Sequence, residues 1–123
     1  MDASAIVEAL LQDALGLRVE ARLRDCEVHA PAHLDAEVLS ALGRLYRAGS
    51  QTEAQAWNRL EAFSRMPIHR YELRPLLRGC WARRHNISLR DALYVELASQ
   101  LDVILITTDR RLAASSPIAE LVA

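Results

Sequence analysis

Residues 88–111, SLRDALYVELASQLDVILITTDRR, constrain this chain more than any other stretch. Ser88 stands three residues ahead of Asp91 in a capping-box-like S-x-x-D, and the apolar residues behind it recur at the spacing of an amphipathic helix. An apolar run from Val103 to Thr107 follows and reads as a strand that delivers Asp109. Helix and strand must pack together, because neither buries its apolar face alone. Asp91 and Asp109 are thereby aimed at one edge of the molecule, as the carboxylates of a metal site would be.

The remainder of the chain alternates in the same way. ASAIVEALLQDALG predicts a helix with Ser4 placed to cap it and Asp2 just ahead, and helical spacing resumes from Leu17 to Leu23. Cys26 to Ala30 reads as a short strand ending at Pro31. A helix from Leu34 carries Glu37 in its first turn and stops at Gly49 and Ser50, and Thr52 opens another that breaks before Pro67. Ile68 to Tyr71 predicts a strand, and Leu73 to His85 a helix that Asn86 ends in the left-handed region. Beyond Asp109, Arg110 to Ala114 makes one helical turn, and Ser115 to Pro117 form a loop before a short apolar tail. The pattern is that of an α/β sandwich around a central, mainly parallel sheet, which receives ligands at the carboxyl ends of its strands.

At 123 residues and 51% apolar content, the chain fits a single domain, residues 1–123, able to bury a real core. A net charge of −1 argues against a nucleic-acid-coating protein. All 15 basic residues are Arg, which suits bidentate phosphate contacts and equally suits a GC-rich coding sequence. Cys26 and Cys80 have neither C-x-x-C spacing nor a zinc-finger His partner, and both read as small buried thiols. No leader-like segment and no membrane-length apolar run is present, so a cytoplasmic protein is expected.

Four acids fall at strand ends or in first turns of helices: Asp2, Glu37, Asp91 and Asp109. A doubly wound fold gathers such positions at one edge, where like charges repel unless a divalent cation neutralises them. An oxygen-only ligand set favours Mg²⁺ or Mn²⁺. Acids also favour helix N-termini through capping and the macrodipole whatever the function, but that alone does not explain all four.

DASAIVEALL, HLDAEVLSALGRL, SLRDALYVELA and LITTDRRLA, spread in this order over nearly the whole chain, resemble PIN-domain ribonucleases of the VapC toxin family. The resemblance implies a metal-dependent endoribonuclease acting on structured RNA. Carried over by position, it makes Asp2, Glu37, Asp91 and Asp109 the catalytic, metal-holding acids, with Ser4 supporting the site. It further implies a homodimer, the toxin of a toxin–antitoxin pair, covered by a VapB-like antitoxin. Only Met1 precedes Asp2, so the first strand is expected to be shortened at its N-terminus.

Seven arginines lie between Arg65 and Arg90 against one acid, Glu72, and a basic face beside an acidic site suits an RNA nuclease. Arg110 and Arg111 lie nearest the site, with Arg84 and Arg90 as further candidates for RNA contact, although ordinary solvated faces or ion pairs account for arginines equally well. Trp57 and Trp81 read as core or interface anchors. His29, His33, His69 and His85 show no ligand spacing and read as surface or capping residues. Two rivals remain: a catalytically inactive PIN-like module that only binds a protein partner, and a receiver-type phosphoacceptor, which would need a Lys this chain lacks.

Overall fold

The computed structural model describes all 123 residues, Met1–Ala123. In chain order the elements are α1 (Ala3–Leu11), α2 (Ala14–Leu23), β1 (Val28–Pro31), α3 (Leu34–Arg47), α4 (Glu53–Arg65) and β2 (Ile68–Tyr71). A 3₁₀ turn (Arg74–Leu76) leads into α5 (Leu77–Ala82), α6 (Leu89–Leu101), β3 (Leu105–Thr107), α7 (Arg110–Ser115) and β4 (Ala119–Leu121). Both strand pairs, β1 with β2 and β3 with β4, are parallel, which makes an α/β fold with helical crossovers.

Local chemistry sets most boundaries. Asp2 caps α1 by accepting from Ala5 N–H, and α1 ends where Gln12 turns to φ 56°. Asp13 then caps α2 through Gly16 N–H. Gly16 is required there, because a Cβ would stand 2.1 Å from the Glu8 carbonyl oxygen of the preceding helix. Thr52 and Gln55 form a reciprocal capping box on α4, and Ser88 accepts from Asp91 N–H to start α6.

The structure corrects several expectations. The helix expected from Leu73 to His85 is a 3₁₀ turn plus a short α5, which ends at Ala82 as Arg83 N–H and Arg84 N–H tighten onto the Cys80 and Trp81 carbonyls; Asn86 does not adopt positive φ. The apolar tail forms β4, which pairs Leu105 with Ala119 and Thr107 with Leu121. Cys80 is buried, whereas Cys26 is exposed. Trp57 and Trp81 are 59% and 60% exposed, so neither anchors the core.

The sheet itself is divided: β1–β2 and β3–β4 share no direct pairing. Met1 and Asp2 bridge the two halves, the Met1 amine donating to His29 O at 3.2 Å and Asp2 N–H to Ile106 O at 3.1 Å. Two residues are too few for a strand. Beside them lies an open groove of about 990 Å³, with Val28 and His29 on one wall and Ile104 and Ile106 on the other.

Helix α6 is apolar on more than the single stripe an amphipathic helix has. Tyr94, Val95 and Ala98 enter the main core with Ile6, Leu34, Val38 and Leu105, while Ala92 and Leu97 pack with Leu76 and Cys80 in a smaller second cluster. Gripped on two sides, α6 fixes where Asp91 and Tyr94 stand. No helix is long and apolar enough to cross a membrane.

Candidate active site

Asp2 is the most enclosed acid of the chain, 5% exposed at the start of α1. One oxygen, Oδ1, accepts from Ser4 Oγ at 2.8 Å and from Ala5 N–H at 3.1 Å. The other, Oδ2, accepts from Thr107 Oγ1 at 2.6 Å. Burial pushes the Asp2 carboxyl above its ordinary value, and the donors from Thr107, Ser4 and Ala5 oppose that rise. Three acceptor positions of roughly four on a carboxylate are thus taken, leaving room for one more electrophile.

The same network reaches Asp109. Thr107 Oγ1 accepts from Asp109 N–H at 2.9 Å, and Ser4 Oγ accepts from Thr108 N–H at 3.3 Å. The Asp109 carboxylate caps α7, accepting from Arg111 N–H at 2.9 Å and Leu112 N–H at 3.3 Å. Strand β3 and the starts of α1 and α7 therefore converge, and both acids also serve the capping role that favours acids at helix starts.

Glu37, one turn into α3, is held from three directions. Tyr94 Oη donates to Oε1 at 2.5 Å, His33 Nε2 stands 3.4 Å from the same oxygen, and Arg90 Nη1 lies 3.7 Å from Oε2. Burial first, and then Glu37, push the Tyr94 phenol far above its usual range, so it remains a donor; Asp2 adds to that rise, which places Glu37, Tyr94 and Asp2 in one electrostatic neighbourhood. Asp91, half-buried in the first turn of α6, precedes Tyr94 by three residues and so shares its helix face. Its carboxylate makes no hydrogen bond or ion pair within the chain, unlike the other three.

A groove of about 400 Å³ opens beside Glu37, the one of the four acids that lines it, together with Ser4, Arg44 and Arg90. Arg90 reaches into it with an 80% exposed side chain. Arg110 and Arg111 are exposed beside Asp109, whereas Arg84 lies over the Trp81 ring at 4.9 Å and donates to the Trp81 carbonyl. Much of the expected basic face is spent in pairs: Arg65 with Glu61, Arg70 with Asp35, Arg83 with Glu96.

Tyr94, Thr107, His33 and Arg44 join the site without having been picked out from the sequence. For Tyr94 and Thr107 a signal existed, since each lies within three residues of an expected acid. The four acids themselves offer only carboxylate oxygens, donors suited to a hard divalent cation and unsuited to a thiophilic one.

The match to known proteins covers the same ground. A family profile described as PIN domain matches residues 1–115. Ribonuclease VapC3 of Mycobacterium tuberculosis is 49% identical over 120 residues, 97% of this chain and 88% of the relative. Ribonuclease VapC1 of the same organism is 41% identical over 94% of this chain and 88% of its own length, and ribonuclease VapC12 is 37% identical over 94% and 89%.

Proposed function

The chain belongs to the PIN-domain family, and on that premise we propose that it is a metal-dependent endoribonuclease of the VapC type, cutting structured RNA as the toxin of a VapBC-type pair. The observation that carries the reading is the Asp2–Thr107–Asp109 network with Glu37 and Asp91 on the facing helices. Asp2, Asp91 and Asp109 would hold Mg²⁺ or Mn²⁺ together with Glu37, which when bound lowers the pKa of a coordinated water and stabilises charge on the leaving oxygen.

The chain's own residues supply the rest. Ser4 and Thr107 fix the Asp2 carboxylate in one rotamer, so this ligand is oriented before substrate arrives. Tyr94 holds Glu37 by Oε1 and leaves Oε2 facing Arg90, where it orients an attacking water. Arg110, Arg111 and Arg90 hold phosphates beside the scissile one, and RNA shape rather than sequence alone decides what enters.

The groove between α3 and α4, which exposes Leu39, Tyr46 and Trp57, supports the docking of an apolar segment of a VapB-like antitoxin, and exposed Leu77, Trp81 and Leu89 support a homodimer contact. The test is cleavage of a folded RNA in Mg²⁺ or Mn²⁺, comparing the chain with Asp91→Ala, whose carboxylate no internal bond requires. Turnover that survives Asp91→Ala or ignores chelation overturns the proposal. The burial and triple bonding of Asp2 favour one second reading, a module that binds its antitoxin without turnover. Tight antitoxin binding by a folded chain inert in both metals would establish it.

A further inference from the structure

Away from the acidic groove, β1 and β2 bring together three residues that are 42 positions apart at their extremes. His29 and His69 are direct partners in the parallel register, and their rings stack at 4.8 Å between centroids with 19° between planes. Glu27, just ahead of β1, places Oε2 3.5 Å from His29 Nε2. One ligand atom from each of Glu27, His29 and His69 lies within 4.8 Å of the others, and none of Asp2, Glu37, Asp91 and Asp109 belongs to this group.

We propose that Glu27, His29 and His69 form a second metal site, selective for a borderline transition ion of the Zn²⁺ class, that clips β1 to β2. Two imidazoles and a carboxylate are a ligand set Zn²⁺ accepts, with a fourth position left to water. The partner of the other His29 ring nitrogen supports it: Nδ1 lies 2.7 Å from Tyr71 Oη. With Nδ1–H donating to that oxygen, Nε2 keeps its lone pair toward Glu27 and His69, the outer-shell arrangement that orients metal-binding histidines.

Tetrahedral bonds of about 2.0–2.1 Å put ligand atoms roughly 3.3 Å apart, closer than they stand without an ion. The contraction, and a turn of the His69 ring out of its near-parallel stack that lets the two in-plane lone pairs converge, fall on the flexible members, since Glu27 and His69 are exposed while His29 is held by Tyr71. Mg²⁺ is not expected here, because imidazole is a poor ligand for a hard ion that keeps its waters. The site does not depend on the nuclease reading.

The test is titration of the metal-free chain with ZnCl₂ by calorimetry, alongside Co²⁺ absorption and the melting temperature. One ion per chain should bind, with a tetrahedral Co²⁺ spectrum and a raised Tm that millimolar Mg²⁺ does not abolish. His69→Ala, an exposed substitution, should remove the high-affinity event, and Tyr71→Phe should weaken it by about 10–100-fold. Asp91→Asn should leave it intact. Binding unchanged in His69→Ala, or lost in Asp91→Asn, would put the ion elsewhere and overturn the proposal, as would no binding at all.

Discussion

Thr107 Oγ1 donates to Asp2 Oδ2 at 2.6 Å and accepts from Asp109 N–H at 2.9 Å, so one buried hydroxyl ties together acids 107 residues apart. Thr107 is fully buried, and nothing else stands in for its oxygen. Thr107→Val keeps the shape and β-branching while leaving the Asp109 N–H and one Asp2 oxygen short of a partner. It should cost about 1–3 kcal/mol of stability, the usual penalty for unsatisfied buried polar groups. Denaturant unfolding checks this, and RNA cleavage should fall with it because Asp2 loses its fixed rotamer.

Asp2 itself sets an activity against a stability. Its folded-state pKa is raised, so the folded chain binds the proton more tightly than the unfolded one. Stability is therefore unaffected below the ordinary value of 3.8, declines as pH climbs through the interval up to the raised value, and stays reduced above it. Asp2→Asn removes the buried charge and keeps an acceptor for Ser4 and Ala5. The expected outcome is a Tm at pH 7–8 equal to or above that of the parent, with the difference vanishing in acid, and no metal-dependent cleavage. A variant that is both inactive and markedly less stable at neutral pH would contradict the raised pKa.

Arg110 and Arg111 make no ion pair and lie beside Asp109. Should they hold substrate phosphates, replacing both by Ala raises KM, leaves kcat nearly unchanged, and reduces the slope of log affinity against log salt by roughly one per arginine. Binding of a folded RNA across a salt series, in Ca²⁺ to block turnover, reads the slope directly. A fall in kcat alone would instead give them a role in placing Asp109.

The stretch 88–111 was the most legible part of the chain, since its caps and periods are local. Ser88, Asp91 and the end of β3 are where their neighbours in sequence put them. What stayed hidden was set by distance: the Tyr94–Glu37 bond spans 57 residues and the His29–His69 stack 40. Neither pairing leaves a spacing rule in the sequence, because parallel register and helix packing decide it. Strand β4 has only three paired residues, too few for a strand signal of its own, and its identity comes from β3 beside it. The arginines show the reverse effect, a sequence pattern that looks like one basic face until packing assigns Arg65, Arg70 and Arg83 to separate carboxylates.

The Met1 amine is buried, and desolvation lowers its pKa from 8.0 to about 6. For a base with a depressed folded-state pKa the destabilisation is complete below pH 6 and disappears above pH 8, so stability should rise across that window by at most about 2–3 kcal/mol. A segment of about four apolar residues joined ahead of Met1 would turn the amine into a neutral peptide N–H and enter the groove between β1 and β3. There it meets strand edges on both sides, and a strand buried between parallel neighbours takes apolar residues on both faces. A Gly-Ser segment of equal length also removes the amine but buries no apolar surface. Both extensions should abolish the pH 6–8 slope, and the apolar one should raise Tm further. Equal Tm values for the two would mean that the groove does not accept a strand, and that the halves of the sheet stay joined only as they are now, through Met1, Asp2 and the packing of α6.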